Sequence, residues 1–169
     1  GIKKNTVLAA NSLMPHFIDF SAAADHDQQI FGKLQLPQGS YLVFDKGYNN
    51  YKQYAKFTEQ GIFFVTRQRE NAVYDIAVEC LHDESTSSNI LQETIIIQNY
   101  KDELNNLQTL KLRRIAWYDE KHNRSYEFIT NSFELDAQTI ALLYKYRWKI
   151  ELFFKKLKQN FPLQYFVGD

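Results

Sequence analysis

Apolar and polar positions alternate or cluster in ways that divide the chain into elements. Thr6 to Ala10 and Phe17 to Ser21 are β-branched and aromatic runs on either side of Ser12-Leu13-Met14-Pro15, which predicts a hairpin. Asp25-His26-Asp27 precedes Ile30, Phe31 and Leu34, so an aspartate can cap a short helix that stops before Pro37 and Gly39. Tyr41-Leu42-Val43-Phe44 is a continuous apolar run, as in a strand buried on both faces, and it ends at Asp45-Lys46-Gly47-Tyr48. Tyr51, Tyr54, Ala55 and Phe57 then recur at helical spacing between Asn50 and Gln60, with Gly61 as the stop, and Ile62 to Val65 reads as a second buried strand. A strand, a helix and a strand in that order predict a right-handed β-α-β unit and an α/β sheet.

Residues 70–106 change character: they are acidic, broken at Ser85-Thr86-Ser87-Ser88-Asn89, and strand-like at Ile95-Ile96-Ile97, which reads as a β-rich insertion. Leu110 to Tyr118 and Ser125 to Thr130 flank a polar turn and predict another hairpin. Asp136 can cap a long helix running through Asn160 and stopped by Pro162. Projected at about 100° per residue, that helix places Tyr146, Ile150, Phe153, Phe154, Leu157 and Phe161 on one side, the expected core face. Tyr144, Arg147, Glu151 and Lys158 share a separate, polar face.

Composition narrows the class. A chain of 169 residues is the length of one domain, and 44% hydrophobic with 15% aromatic residues is too much apolar mass for a disordered segment. No apolar run approaches the roughly 20 residues that span a bilayer. Cys80 is the sole cysteine, which excludes an internal disulfide and a cysteine metal site and fits a reducing compartment. Gly1-Ile2-Lys3-Lys4 carries neither an initiating Met nor a secretory core, and reads as the start of a fragment. The net charge is zero with 20 basic and 20 acidic residues, but it is unevenly spread. Residues 144–160 hold six cations and one anion, whereas 70–103 hold eight anions and one cation. One basic element is enough to draw a polyanion locally.

Asp45 at the end of a buried strand and Glu151 on a helix packed against the sheet form an oxygen donor pair suited to Mg²⁺. Two such ions stabilise both oxygens in phosphodiester displacement, and neighbouring Arg and Lys can hold phosphates. Taken singly, a turn aspartate and an i,i+4 Arg147–Glu151 pair have structural explanations. The ordered set Tyr144-x2-Arg147-x3-Glu151-x6-Lys158 resembles the Y-R-E-K signature of a group of bacterial insertion-sequence DDE transposases. Val43-Phe44-Asp45-Lys46-Gly47-Tyr48, Phe64-Val65-Thr66-Arg67 and Phe128-Ile129-Thr130-Asn131 are similar to the same family, in the same order.

The resemblance implies an α/β, RNase H-like mixed sheet flanked by helices, with a β-rich insertion before the last helix. Residues 1–69 would form the N-terminal part of the core, 70–108 the insertion, and 109–169 the hairpin and helix that complete it. It implies catalysis and metal binding by Asp45 and Glu151 with Mg²⁺ or Mn²⁺, and DNA contacts by Tyr144, Arg147 and Lys158. The partners implied are transposon ends and target DNA, bound by a dimer of the full-length protein, in the cytoplasm at the nucleoid and away from membranes. The family's first Asp lies on a strand before the opening hairpin and is not matched here. Asp19, Asp25, Asp27 and His26 are weaker stand-ins, so the fragment alone is expected to be inactive. In some relatives an aromatic stacks a base flipped from the transposon end, for which Tyr126, Trp117 and Tyr118 are the candidates. A DNA-binding remnant without chemistry, or an RNase H-like nuclease that cuts without joining, are the alternatives.

Overall fold

The computed structural model describes the backbone of residues 2–8, 15–22, 35–48, 50–80 and 89–160, and side chains within 35–47, 50–80, 89–152, 156 and 159. The opening hairpin forms as strands β1 (Ile2–Leu8) and β2 (Pro15–Ala22), antiparallel with Asn5 opposite Asp19. Asp25, His26, Asp27 and their expected helix lie outside the described residues.

Strand β3 (Tyr41–Val43) leads through Asp45 into a short 3-10 turn, Lys46–Tyr48, and then helix α1 (Tyr51–Glu59). Asn50 caps α1 by accepting from the Lys52 and Gln53 N–H groups. Gly61 ends it with φ of +67°, where a Cβ would also run into the Gln38 side chain. Strand β4 (Phe63–Arg67) then returns parallel to β3, completing the β-α-β unit. Next come β5 (Asp75–Cys80), β6 (Ile90–Lys101), β7 (Leu107–Asp119), β8 (Arg124–Thr130) and helix α2 (Ala137–Asn160).

Six strands form one mixed sheet in the order β3-β4-β8-β7-β6-β5, with every pair after β3–β4 antiparallel. The fold is α/β, as an RNase H-like architecture requires. Residues 70–108 contribute β5 and β6 to this same sheet through the β6–β7 ladder. Strand β3 differs from expectation: it spans three half-buried residues and occupies an edge of the sheet as described, so only its α1-facing neighbour Phe44 is buried. Among the described residues no helix is long and apolar enough to cross a membrane.

The sheet has a core on each face. Phe44, Tyr54, Phe57, Phe64, Leu112 and Ile129 pack beneath α1. Val65, Ile115, Trp117, Phe128, Ile140 and Tyr144 pack beneath α2. Asn131, buried just past the end of β8, ties that strand to the α1–β4 segment: it accepts from the Phe64 N–H at 2.9 Å and donates to the Ile62 carbonyl and the Thr58 hydroxyl. That accounts for the end of the Phe128-Ile129-Thr130-Asn131 motif in structural terms, since a buried backbone N–H left unmatched is costly.

Asp136 caps α2 as expected, its carboxylate accepting from the Thr139 N–H at 2.8 Å and the Thr139 hydroxyl at 2.6 Å. Those bonds hold its carboxyl below the ordinary aspartate value, so the cap's stabilisation is complete above about pH 4 and disappears as pH falls through the lowered folded value. Asp136→Ala is expected to cost about 1 kcal/mol at pH 7. Thermal denaturation at pH 7 and again near pH 2.5 checks this: the gap between variant and parent should close in acid.

Candidate active site

Strand parity decides which side chains meet. Tyr41, Val43 and Val65 face α2, while Leu42, Phe44 and Phe64 face α1. Asp45, two residues beyond Val43, therefore leaves the end of β3 on the α2 side. Its carboxylate accepts the Lys46 N–H at 2.7 Å. The Thr66 hydroxyl, on the neighbouring strand, donates to the Phe44 carbonyl at 2.9 Å and so pins the peptide just before Asp45.

Helix α2 supplies the other wall. Ala137, Ile140, Ala141 and Tyr144, at spacings of 3, 4 and 7, are buried against the sheet. The same face continues past the packed region as Arg147, Trp148 and Glu151. This reverses the projection from sequence: Tyr146, assigned to the core, is 57% exposed, and Tyr144, assigned to a separate polar face, is fully buried. The helix carries apolar residues on two sides, and the sheet's aromatics choose between them. Phe128 lies 4.9 Å from the Tyr144 ring, and Trp148 packs edge-on to Tyr144 at 5.1 Å. The side chains of Phe153, Phe154, Leu157 and Lys158, and all of Phe161, lie outside the described residues.

Three of the residues expected at the site converge on Asp45 or on its neighbour. The Tyr144 hydroxyl lies 3.4 Å from Asp45 Oδ1, and Arg147 Nη2 lies 4.0 Å from the same oxygen. Arg147 Nη1 reaches Glu151 Oε1 at 2.5 Å. One guanidinium fork thus stands between the two carboxylates, with its Cζ 4.6 Å from the Tyr144 ring centroid. Arg147 is the sheltered member of the trio, its side chain 14% exposed against 49% for Asp45 and 58% for Glu151. Burial pushes the Tyr144 phenol well above the ordinary tyrosine range; Arg147 and Arg67 oppose that rise and Asp45 adds to it. At neutral pH the hydroxyl is therefore a donor.

The donor chemistry suits a hard divalent cation. Two accessible carboxylates, both turned toward one positive group, are oxygen ligands that Mg²⁺ or Mn²⁺ accepts. Among the described residues no three His, Cys, Asp or Glu side chains gather as a metal cluster, so this pair would furnish part of a coordination shell.

Beside Glu151 opens a cleft of about 350 Å³ lined by His122, Tyr126, Trp148, Glu151 and Leu152. Tyr126 is half-buried there, 4.8 Å from Trp148. Trp117 is 1% exposed and so unavailable to a ligand, and Tyr118 donates its hydroxyl to Asn123 at the β7–β8 turn. Sequence reasoning left these three aromatics as rivals; only Tyr126 opens onto the cleft. It gave no role to Trp148, which lines the cleft, or to Arg67, quoted only as the end of a motif, whose guanidinium lies 5.0 Å from the Tyr126 ring centroid.

The sequence matches the family described as Transposase DDE domain over residues 1–164. It is 28% identical to "Putative transposase y4zB" of Sinorhizobium fredii across 171 aligned residues, covering 100% of this chain and 47% of that protein. It is 26% identical to "Probable transposase for insertion sequence element IS5377" of Geobacillus stearothermophilus, covering 94% of this chain and 41% of that protein. The chain therefore spans less than half the length of these curated relatives. With four motifs in order, an α/β sheet and this breadth of match, the chain belongs to the transposase DDE domain family.

Proposed function

We propose that this chain is part of the catalytic domain of a DNA transposase that cuts and joins strands at insertion-sequence ends with a divalent metal ion. The observation that carries the reading is the Arg147 fork held between Asp45 and Glu151 at the carboxyl end of β3. Asp45 and Glu151 would be metal ligands, and the ion, Mg²⁺ or Mn²⁺, would stabilise the negative charge that develops on a phosphodiester during displacement. Arg147 would hold a phosphate once its carboxylate partners turn to a cation, since a guanidinium fork suits two phosphate oxygens. Tyr144, kept protonated by burial, would donate to the same phosphate. Lys158 would add a contact farther along α2. Tyr126 would receive an unstacked base in the cleft beside Glu151, braced by Trp148.

Strand transfer must bring two ends together, so the protein is inferred to act as a dimer on DNA. The 169-residue chain by itself is inferred not to cut, because Asp45 and Glu151 match only two of the family's three acids. The DNA-binding remnant and the nuclease remain the competing readings, and metal and products separate them.

The test uses a protein of full family length carrying this chain, incubated with insertion-sequence end DNA and Mg²⁺ or Mn²⁺. Cleavage is expected to fall by roughly a hundredfold or more in Asp45→Asn and in Glu151→Gln, since changes even outside a metal's ligand set cost about 10- to 100-fold. Both variants should melt within a few degrees of the parent, because both carboxylates are solvent-accessible. Full activity in either variant would sink the assignment. Nicks without joined strands would favour the nuclease, and DNA binding indifferent to metal with no cleavage would favour the remnant.

A further inference from the structure

One cation serves both carboxylates of the site. Arg147 Nη1 lies 2.5 Å from Glu151 Oε1 and Nη2 lies 4.0 Å from Asp45 Oδ1, and among the described residues neither acid has another ion-pair partner. Lys46, next to Asp45 in the chain, is paired instead with Glu70 at 3.3 Å. The fork is only partly engaged: its contact with Asp45 is too long for a hydrogen bond, and the buried Nε has no hydrogen-bond partner among the described residues. The stem is nevertheless held, with Cζ 4.6 Å from the Tyr144 ring centroid and the side chain only 14% exposed. Such a guanidinium has a fixed base, donors to spare, and a charge that shelter from water makes costly to leave unpaired.

We propose that Arg147 is a latch: it competes with the divalent cation for Asp45 and Glu151 and releases them when a DNA phosphate becomes its counter-ion, so that metal and DNA end bind cooperatively. The inference rests on the metal and nucleic-acid reading above and adds to it a dependence of one ligand on the other. A carboxylate oxygen that accepts from a guanidinium is a poorer ligand for a second cation, and two like charges at one pair of acids repel. Yielding the acids without a replacement would strand the sheltered guanidinium without an anion. A phosphate supplies that anion and offers the fork two oxygens. Each ligand then removes a cost that the other would meet alone, and by linkage the benefit is the same in either direction. The rival explanation is a brace: Arg147 holds the two acids in position, and the cation binds better with it than without it.

Mn²⁺ binding separates latch from brace. It would be followed by the paramagnetic resonance signal of the free ion, using a protein of full family length carrying this chain, for the parent, Arg147→Gln, Arg147→Met and Asp45→Asn. Each would be titrated alone and with insertion-sequence end DNA, after subtraction of the Mn²⁺ held by DNA itself. Without DNA, both Arg147 variants are expected to bind Mn²⁺ about fivefold or more tightly than the parent, the lower end of ordinary coupling between sites. End DNA should tighten Mn²⁺ binding more in the parent than in either variant. Mn²⁺ binding that Asp45→Asn weakens, but that is unchanged or weaker in both Arg147 variants, would overturn the latch and leave the metal reading standing. Mn²⁺ binding indifferent to Asp45→Asn would overturn both. The unaltered protein gives a check independent of folding: Mg²⁺ without DNA should raise labelling of Arg147 by an arginine-specific dicarbonyl reagent, read by mass spectrometry, and end DNA should suppress it. Labelling unmoved by Mg²⁺ would reject the latch.

Discussion

Tyr144→Ala should destabilise the fold by about 3–5 kcal/mol, the range for deleting a large buried aromatic. The ring is fully buried between Phe128, 4.9 Å away, and Trp148, 5.1 Å away, so its removal opens a cavity under α2 at the point where the helix leaves the sheet. For a chain of this size that corresponds to a fall in melting temperature of roughly 10 °C or more. Tyr144→Phe separates the ring from the hydroxyl. The hydroxyl lies at a long 3.4 Å from an Asp45 carboxylate that is half exposed, so its loss should cost under about 1 kcal/mol. DNA binding should nevertheless weaken in the Phe variant if the phenol donates to a phosphate. A melting temperature for Tyr144→Ala within about 2 °C of the parent would show that α2 does not pack in this way.

The second large effect lies away from the cleft. Arg113, on β7, is buried, and its guanidinium pairs with Glu93 of β6 and donates to the Leu135 carbonyl, with Ser132 O at 3.5 Å. It therefore ties the middle of the sheet to the turn that delivers the Asp136 cap and helix α2. Arg113→Ala removes this counterion from a Glu93 whose side chain is 15% exposed, and it strips donors from two backbone carbonyls. The expected cost is about 3 to 5 kcal/mol, the range for breaking a buried pair at one partner. The combined change Arg113→Met with Glu93→Leu should restore much of the loss, because an apolar pair avoids the desolvation cost that the ions bear. Urea denaturation of the single and double variants gives the comparison. A double variant as unstable as Arg113→Ala would mean that the carbonyl contacts, rather than the ion pair, carry the effect.

Function depends on both positions through α2. The helix is anchored by its cap and by Arg113 at one end, by Tyr144 in the middle, and reaches beyond the sheet with Arg147 and Glu151. Errors in its rotation would move the Arg147 fork away from Asp45, which is why structural substitutions far from the cleft should also depress any activity of the site.

Local order was readable from the residues alone. The α1 boundaries followed from Asn50 and Gly61, the start of α2 from Asp136, both hairpins from β-branched runs around turns, and the parallel pair from a strand-helix-strand sequence. Each of these is a short-range signal, set by capping groups, φ preferences or periodicity within one element. The Tyr-Arg-Glu spacing was visible for the same reason: residues 3 and 4 apart on a helix lie on one face whatever surrounds it.

What the tertiary structure decided is everything that depends on a neighbour. The α2 sequence is apolar on two sides, so only packing against Phe128 and Val65 fixed which side is buried, and it chose Tyr144 over Tyr146. The meeting of Asp45 with Tyr144 and Arg147 follows from the packing of α2 beside the end of β3, and the seclusion of Trp117 from its place on a central strand covered by α2. A sequence specifies such contacts only through the whole fold, because hydrogen-bonded register and burial are settled between segments that are distant along the chain.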